Sequence, residues 1–477
     1  MKTNTFGKTL KTNIVFAYSA QLISMLISIF FTLIIPKILG VEGFGYWQLL
    51  ALYVNYLGIF YLGLNDGLYL RIGGIKRHEL INYKVKEQTS FFFILHIIIS
   101  VILIFLCLLI IDDFNRRFII ILTLIYLPFF NLKGVLDQVF QAINLLKTHS
   151  ISVILEKVVI LLSIIILFLL GYRDFKIYTV FYILSGITAT AYILLKSRFV
   201  IAGNKLTLFD TILESKTNIK IGIPLMLSSF ASLLILSTSK QIIDARWGIS
   251  DFGIVALSIS MVSLFLVFIN KSGLVLFPSL RSISSLKQKL WYENIKQIMD
   301  IILPVIFLSY IPISLVIEFW LPDYIESIKY IGILLPLVIF EGKMGVLGTT
   351  YFKVLRLEKK LFVMNILVLV FNIVFGLIAA YYFNSVLLLL VILVFSLTIR
   401  AVLAELILNK YFELTKQYKI FVLVGLSTAF ITLHFFINMY YSFVIYTLLI
   451  SVYVVYNWQQ IKTAYINIKN INSSEIL

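Results

Sequence analysis

The chain has 477 residues, 61% of them hydrophobic, a mean hydropathy of +1.01, and 40 Lys and Arg against 23 Asp and Glu, for a net charge of +17. A water-soluble domain cannot hide that much apolar surface, so composition excludes a soluble protein and predicts an all-α, polytopic integral membrane protein. The single cysteine, Cys107, sits in an apolar run and excludes an internal disulfide.

In chain order, fourteen apolar runs are predicted to cross a ~30 Å hydrocarbon layer as helices. They cover 13–36, 46–66, 89–111, 118–144, 151–171, 177–196, 219–240, 253–276, 298–320, 329–352, 361–383, 386–408, 420–437 and 441–460. The first run is span-length and lacks a small-residue cleavage site, so it reads as a retained helix rather than a signal peptide. The spans use roughly 300 positions and leave about 11 residues per connection, too few for a water-exposed catalytic domain. An enzyme is therefore not expected.

Alternate segments differ sharply in basic residues. One side holds Lys2, Lys8, Lys11, Arg71, Lys76, Arg77, Lys84, Lys86 and the stretches 196–220, 281–296 and 353–360. It collects about 28 Lys and Arg, against about eight on the other side, including Lys37, Arg116, Arg117, Arg173 and Lys176. Both termini are thus predicted to be cytoplasmic. The positive charge is topological and lies beside anionic lipid, so no nucleic-acid partner is expected.

Two loops on the outer side repeat each other. Gly40, Val41, Phe44 and Gly45 recur as Gly248, Ile249, Phe252 and Gly253, an offset of 208. A weaker echo relates Phe140 to Phe352, an offset of 212. Nearly equal offsets predict a duplicated six-helix bundle, 1–200 and 201–415, followed by two additional helices and a cytoplasmic tail over 416–477. Repeats of six share one orientation, related by an axis along the membrane normal, an arrangement that builds alternating-access transporters around a central cavity. The repeated glycines are expected to make tight turns with positive φ.

A charged side chain at the bilayer centre costs on the order of 2.5–3.5 kcal/mol, so those present are candidates for function. Lys133 and Asp137 fall mid-way along the fourth span, Glu341 and Lys343 mid-way along the tenth. The 212 offset sets Lys343 level with Asn131, within a turn of Lys133. Both halves therefore bring an ammonium to similar depth, and the two are expected to line one polar cavity. Asn131, Gln138, Gln141 and Asn144 extend the polar character of the fourth span, with a helical period that predicts one wettable face. The alternative for Lys133 and Asp137 is mutual neutralisation at i,i+4. Lys343 has no acid at that spacing. Lys271 and Arg400 complete the candidate set, although both are placed to snorkel to the head groups. Asp66 and Arg71 are expected to cap or pair locally, and His96 and His434 to bond to neighbouring helices. Pro224, Pro304, Pro312 and Pro336 should kink their spans.

Searches for a Walker loop, a dinucleotide fingerprint, His-Glu-x-x-His and Cys/His metal spacings come back empty, so no cofactor or metal is expected. Energy would come from an ion gradient, the membrane potential or the substrate's own gradient.

The segments Leu39-Gly40-Val41-Glu42-Gly43-Phe44-Gly45-Tyr46-Trp47-Gln48 and Leu62-Gly63-Leu64-Asn65-Asp66-Gly67, the latter continued by Leu70-Arg71-Ile72-Gly73-Gly74, resemble polysaccharide-export flippases. These are the Wzx-type members of the multidrug/oligosaccharidyl-lipid/polysaccharide superfamily. The resemblance implies a flippase of undecaprenyl-pyrophosphate-linked oligosaccharide in the bacterial inner membrane, serving O-antigen or capsule synthesis. Its partners would be that lipid-linked glycan, membrane lipids, a glycan polymerase and other export machinery. It also implies a cationic central cavity for the anionic head group, to which Lys133 and Lys343 correspond by chemistry. Two alternatives stand beside it. An ion-coupled multidrug or metabolite exporter would favour acidic cavity residues. A membrane-embedded glycan polymerase or ligase would need a larger outer loop than any here.

Overall fold

The computed structural model describes residues 2–73, 75, 80, 83–143, 145–197, 207–281, 283–414 and 419–473, with side-chain surroundings outside 2–21, 270–279, 281 and 469–473. Asn144 and the side chain of Lys271 lie outside the described set. Among the described residues the chain is helical throughout and has no strand. In lipid this is forced, because a helix satisfies its own backbone donors and acceptors within one segment.

The helices are α1 (Lys2–Tyr56), α2 (Leu64–Ile72), α3 (Val85–Ile110), α4 (Phe114–Ala142), α5 (Leu146–Leu169) and α6 (Phe175–Lys196). They continue as α7 (Leu208–Trp247), α8 (Ile249–Arg281), α9 (Ser285–Ile302), α10 (Tyr310–Trp320), α11 (Ser327–Leu334) and α12 (Pro336–Lys343). The last six are α13 (Thr350–Val354), α14 (Glu358–Tyr381), α15 (Val386–Tyr411), α16 (Lys419–Phe436), α17 (Met439–Tyr456) and α18 (Trp458–Ser473). Among the described residues thirteen runs are long and apolar enough to cross a membrane. This is a multi-pass membrane protein.

Each of the fourteen expected spans has a helical counterpart. The first two are joined, because α1 passes through a kink at Gly40 (φ 68°, ψ −178°) instead of a loop. Between α7 and α8, Gly248 has φ 91°. The two repeated loops therefore each turn on a glycine with positive φ, a backbone that a residue with a Cβ rarely adopts.

The chain divides into two compact units, Met1–Phe230 and Ala231–Leu477, the boundary falling within α7. In the first unit α4 is the hub and packs against α1, α2, α3, α5 and α6. A buried apolar cluster of Tyr61, Leu64, Leu68, Phe92, Val135 and Val139 joins α2, α3 and α4. The N-terminal part of α7 crosses α2 at backbone contact. A Cβ added at Gly67 would lie 1.9 Å from the Asn218 carbonyl oxygen, and one at Gly222 would lie 1.9 Å from that of Gly63. Small residues four apart permit this approach, as they do between membrane helices generally. One turn further on, Arg71 Nη1 donates to Glu214 at 2.8 Å and to Asn218 Oδ1 at 2.6 Å. Arg71 thus finds its acid on α7 rather than in the local pairing with Asp66 read from the sequence.

In the second unit the run Ser327–Val354 is the most enclosed of the spans, with 89% of its most apolar window buried. It is also the least regular. Pro336 opens α12 without a backbone N–H to donate, and a π-helical segment, Met344–Thr349, follows Lys343. This broken run packs against α8 and α15. The C-terminal tail holds a helix that the span pattern did not predict: α18 lies along α9, and Asn467 donates to Asn294 Oδ1 at 3.2 Å. Apolar length alone could not find it, because both helices are amphipathic.

Candidate functional site

In the first unit the candidate residues form one cluster across α4 and α5. Lys133 Nζ lies 3.0 Å from Asp137 Oδ2 and 3.3 Å from Glu156 Oε2. His149 Nδ1 lies 2.9 Å from Asp137 Oδ1. The i,i+4 pair is therefore formed, and α5 adds two members. One ammonium faces two carboxylates, so the cluster carries one excess negative charge whenever the imidazole is neutral. Its side chains are 12–27% exposed, sheltered but not sealed.

The remaining polar residues of α4 do not form one open face. Gly134 is filled by the Tyr61 hydroxyl, which donates to the Phe130 carbonyl at 3.0 Å. Asn131 is buried and its amide nitrogen lies 3.1 Å from His96 Nε2, itself 2.9 Å from the Phe60 carbonyl oxygen. His96 thus bonds across helices, as expected. Gln138 and Gln141 are half-buried.

In the second unit Lys343, at the end of α12, meets acids from two other helices. It donates to Asp300 Oδ1 on α9 and, at 2.6 Å, to Glu405 Oε2 on α15. Lys296 Nζ lies 2.8 Å from Glu405 Oε1 and 3.2 Å from Asn409 Oδ1. Two ammoniums and two carboxylates balance here, and none of the four side chains is more than 7% exposed. The lack of an acid for Lys343 in its own helix is made good by helices 43 and 62 residues away.

Arg400 also departs from expectation. It does not snorkel: its side chain is 2% exposed, Nη2 donates to Glu341 Oε1, and Nη1 donates to Ser232 Oγ at 2.6 Å. Glu341, at 24% exposure, is the more accessible partner. Both mid-span charges of the tenth span are thus answered by the twelfth, Glu341 by Arg400 and Lys343 by Glu405. Breaking one such pair would strand a charge in a medium that solvates it poorly.

One cation escaped the sequence reading. Lys240 lies on α7, two turns before Trp247, beside Ser237, Thr238, Ser239 and Gln241. It is half-buried within a helix long and apolar enough to cross a membrane, and among the described residues it makes no hydrogen bond or ion pair. The neighbouring hydroxyls are engaged elsewhere: Asn372 Nδ2 donates to Thr238 Oγ1 at 3.2 Å and to Ser239 Oγ at 3.0 Å. The expected span ended at residue 240, which made this ammonium look terminal. The helix itself runs on to Trp247, two turns further. Glu156, Asp300 and Glu405 were likewise readable as acids inside apolar runs. No group of three or more His, Cys, Asp or Glu that could hold a metal occurs among the described residues.

No protein-family model matches the chain, and no curated protein matches it. Solved structures do. The lipid II flippase MurJ, in an inward closed conformation, is similar over 94% of this chain and 99% of its own, at 11% identity and a TM-score of 0.62. A multidrug resistance MATE family transporter of the MOP superfamily, facing inward, matches over 84% of this chain and 98% of its own, at 12% identity and a TM-score of 0.62. An outward-facing structure of such a transporter matches over 85% and 96%, at 15% identity and a TM-score of 0.52. The chain has the fold shared by these MOP superfamily transporters.

Proposed function

We propose that this chain is a flippase that carries an undecaprenyl-pyrophosphate-linked oligosaccharide from the cytoplasmic to the outer leaflet of a bacterial inner membrane, for a surface polysaccharide such as O-antigen or capsule. Lys240 carries this reading. An unpaired ammonium inside a membrane span lacks a counter-charge, and a pyrophosphate head group supplies one through charge-assisted hydrogen bonds. The flippase-like segments at 39–48 and 62–74 support a lipid-linked cargo. So does the reach of the fold likeness, 94% of the chain for a lipid flippase against 84% and 85% for the multidrug transporters.

The other candidates divide by their surroundings. Lys133 and Lys343, each answered by two carboxylates, brace the helices of their own units. Gln138 and Gln141 in the first unit, and Glu341 in the second, are incompletely buried and offer hydrogen-bonding groups to sugar hydroxyls. The glycan polymerase and export machinery would receive the product.

An ion-coupled exporter of cationic compounds is the second reading, favoured by the carboxylate excess around Lys133. Cells in which this gene is the sole flippase of its pathway separate the two. On depletion, lipid-linked oligosaccharide should accumulate in the cytoplasmic leaflet and surface glycan should disappear. Unchanged glycan together with greater sensitivity to cationic drugs would favour the exporter.

A further inference from the structure

Within the first unit, a groove of about 410 Å³ lies between α3, α4 and α6. It is lined on α3 by Lys86 and Phe93, on α4 by Phe129 and Leu132, and on α6 by Ile187 and Ala191. The α3 lining runs from Lys86 to Ile94, roughly 12 Å along the helix axis. Its chemistry changes along that length. Lys86 is the second residue of α3 and, among the described residues, makes no hydrogen bond or ion pair. The two threonines in the wall contribute little polarity, because Thr89 donates to the Val85 carbonyl at 2.6 Å and Thr190 to the Gly186 carbonyl at 2.8 Å. Ser90, one turn on from Lys86, adds one hydroxyl to the wall; beyond it the lining is hydrocarbon, and a water there would find few of the polar partners it needs.

A hydrocarbon-walled crevice on a helix bundle in a bilayer suits a lipid chain, which needs no polar partner there. We propose that this groove binds one acyl chain of an anionic phospholipid, with the lipid phosphate against the Lys86 ammonium. An apolar channel ending in one unpaired cation suits an amphiphile with a negative head and a hydrocarbon tail. A zwitterionic lipid presents its phosphate with its own cation beside it and so gains less from the lysine. The site lies wholly within the first unit and does not depend on the cargo.

The test uses the full chain in lipid vesicles, with the five native tryptophans replaced by Phe and one reporter introduced by Phe93→Trp. Phe105→Trp is the baseline, since Phe105 is on the same helix, 62% exposed and remote from the groove. Tail-brominated phosphatidylglycerol should quench the Phe93→Trp variant more strongly than tail-brominated phosphatidylcholine, with an apparent preference of about fivefold, as one lysine beside an anionic lipid gives. Lys86→Gln should abolish that preference, and Phe105→Trp should show none. Ala191→Phe, which fills the groove, should lower quenching by both lipids. Equal quenching by the two lipids at Phe93→Trp, a preference that survives Lys86→Gln, or an equal preference at Phe105→Trp would each overturn the proposal.

Discussion

The Lys343 ammonium donates to Glu405 Oε2 at 2.6 Å while also holding Asp300, and all three side chains are at most 5% exposed. An ammonium so enclosed ties α9, α12 and α15 of its unit together. Its worth lies in the cost of breaking it. Lys343→Met leaves two buried carboxylates with only Lys296 between them and should lower stability by about 3–5 kcal/mol. Thermal unfolding of the detergent-solubilised protein measures this. Combining Lys343→Met with Asp300→Asn should recover part of the loss.

The cluster around Lys133 should respond asymmetrically. Glu156→Gln removes the surplus negative charge and should be close to neutral for stability. Lys133→Met leaves Asp137 and Glu156 facing each other and should cost about 3 kcal/mol. The same unfolding measurement, run on both variants, decides it; equal losses would contradict the charge count.

The crossing of α2 on α7 should be intolerant of a single methyl group. Gly67→Ala and Gly222→Ala each place a Cβ 1.9 Å from a backbone oxygen and should cost about 1–3 kcal/mol or more. Gly425→Ala, with nothing within 4 Å, should be neutral or slightly stabilising. Yield of monodisperse protein and its unfolding temperature report the difference.

Much of this could be read from the sequence, and the failures share a cause. The spans, the glycine turns at Gly40 and Gly248, and the pairing of Lys133 with Asp137 all follow from period and spacing within one segment. Lys343 with Asp300 and Glu405, Arg400 with Glu341, and Lys133 with Glu156 join different helices. Periodicity says which face of a helix is polar but not which helix that face meets. Arg400 was misread for this reason, since a long cation near a span end snorkels only when no buried acid is closer. Lys240 was missed through a boundary error of two turns, the least dependable part of such a reading.

The two repeated glycines give a test of the duplication. Neither Gly40 nor Gly248 has an atom within 4 Å of an added Cβ, yet both have positive φ. Gly40→Ala and Gly248→Ala should therefore carry similar, purely conformational penalties of about 1–3 kcal/mol each. Unequal effects on unfolding temperature would argue against equivalent turns.

The most direct measurement is translocation of an undecaprenyl-pyrophosphate-linked oligosaccharide by purified protein in proteoliposomes, followed by the accessibility of its sugars to an external lectin. Wild type and Lys240→Arg should move the glycolipid, and Lys240→Gln should lose at least tenfold in rate while folding normally, since Lys240 has no protein partner to strand. Full activity in Lys240→Gln, or no movement of the glycolipid by wild type, would contradict the anionic cargo.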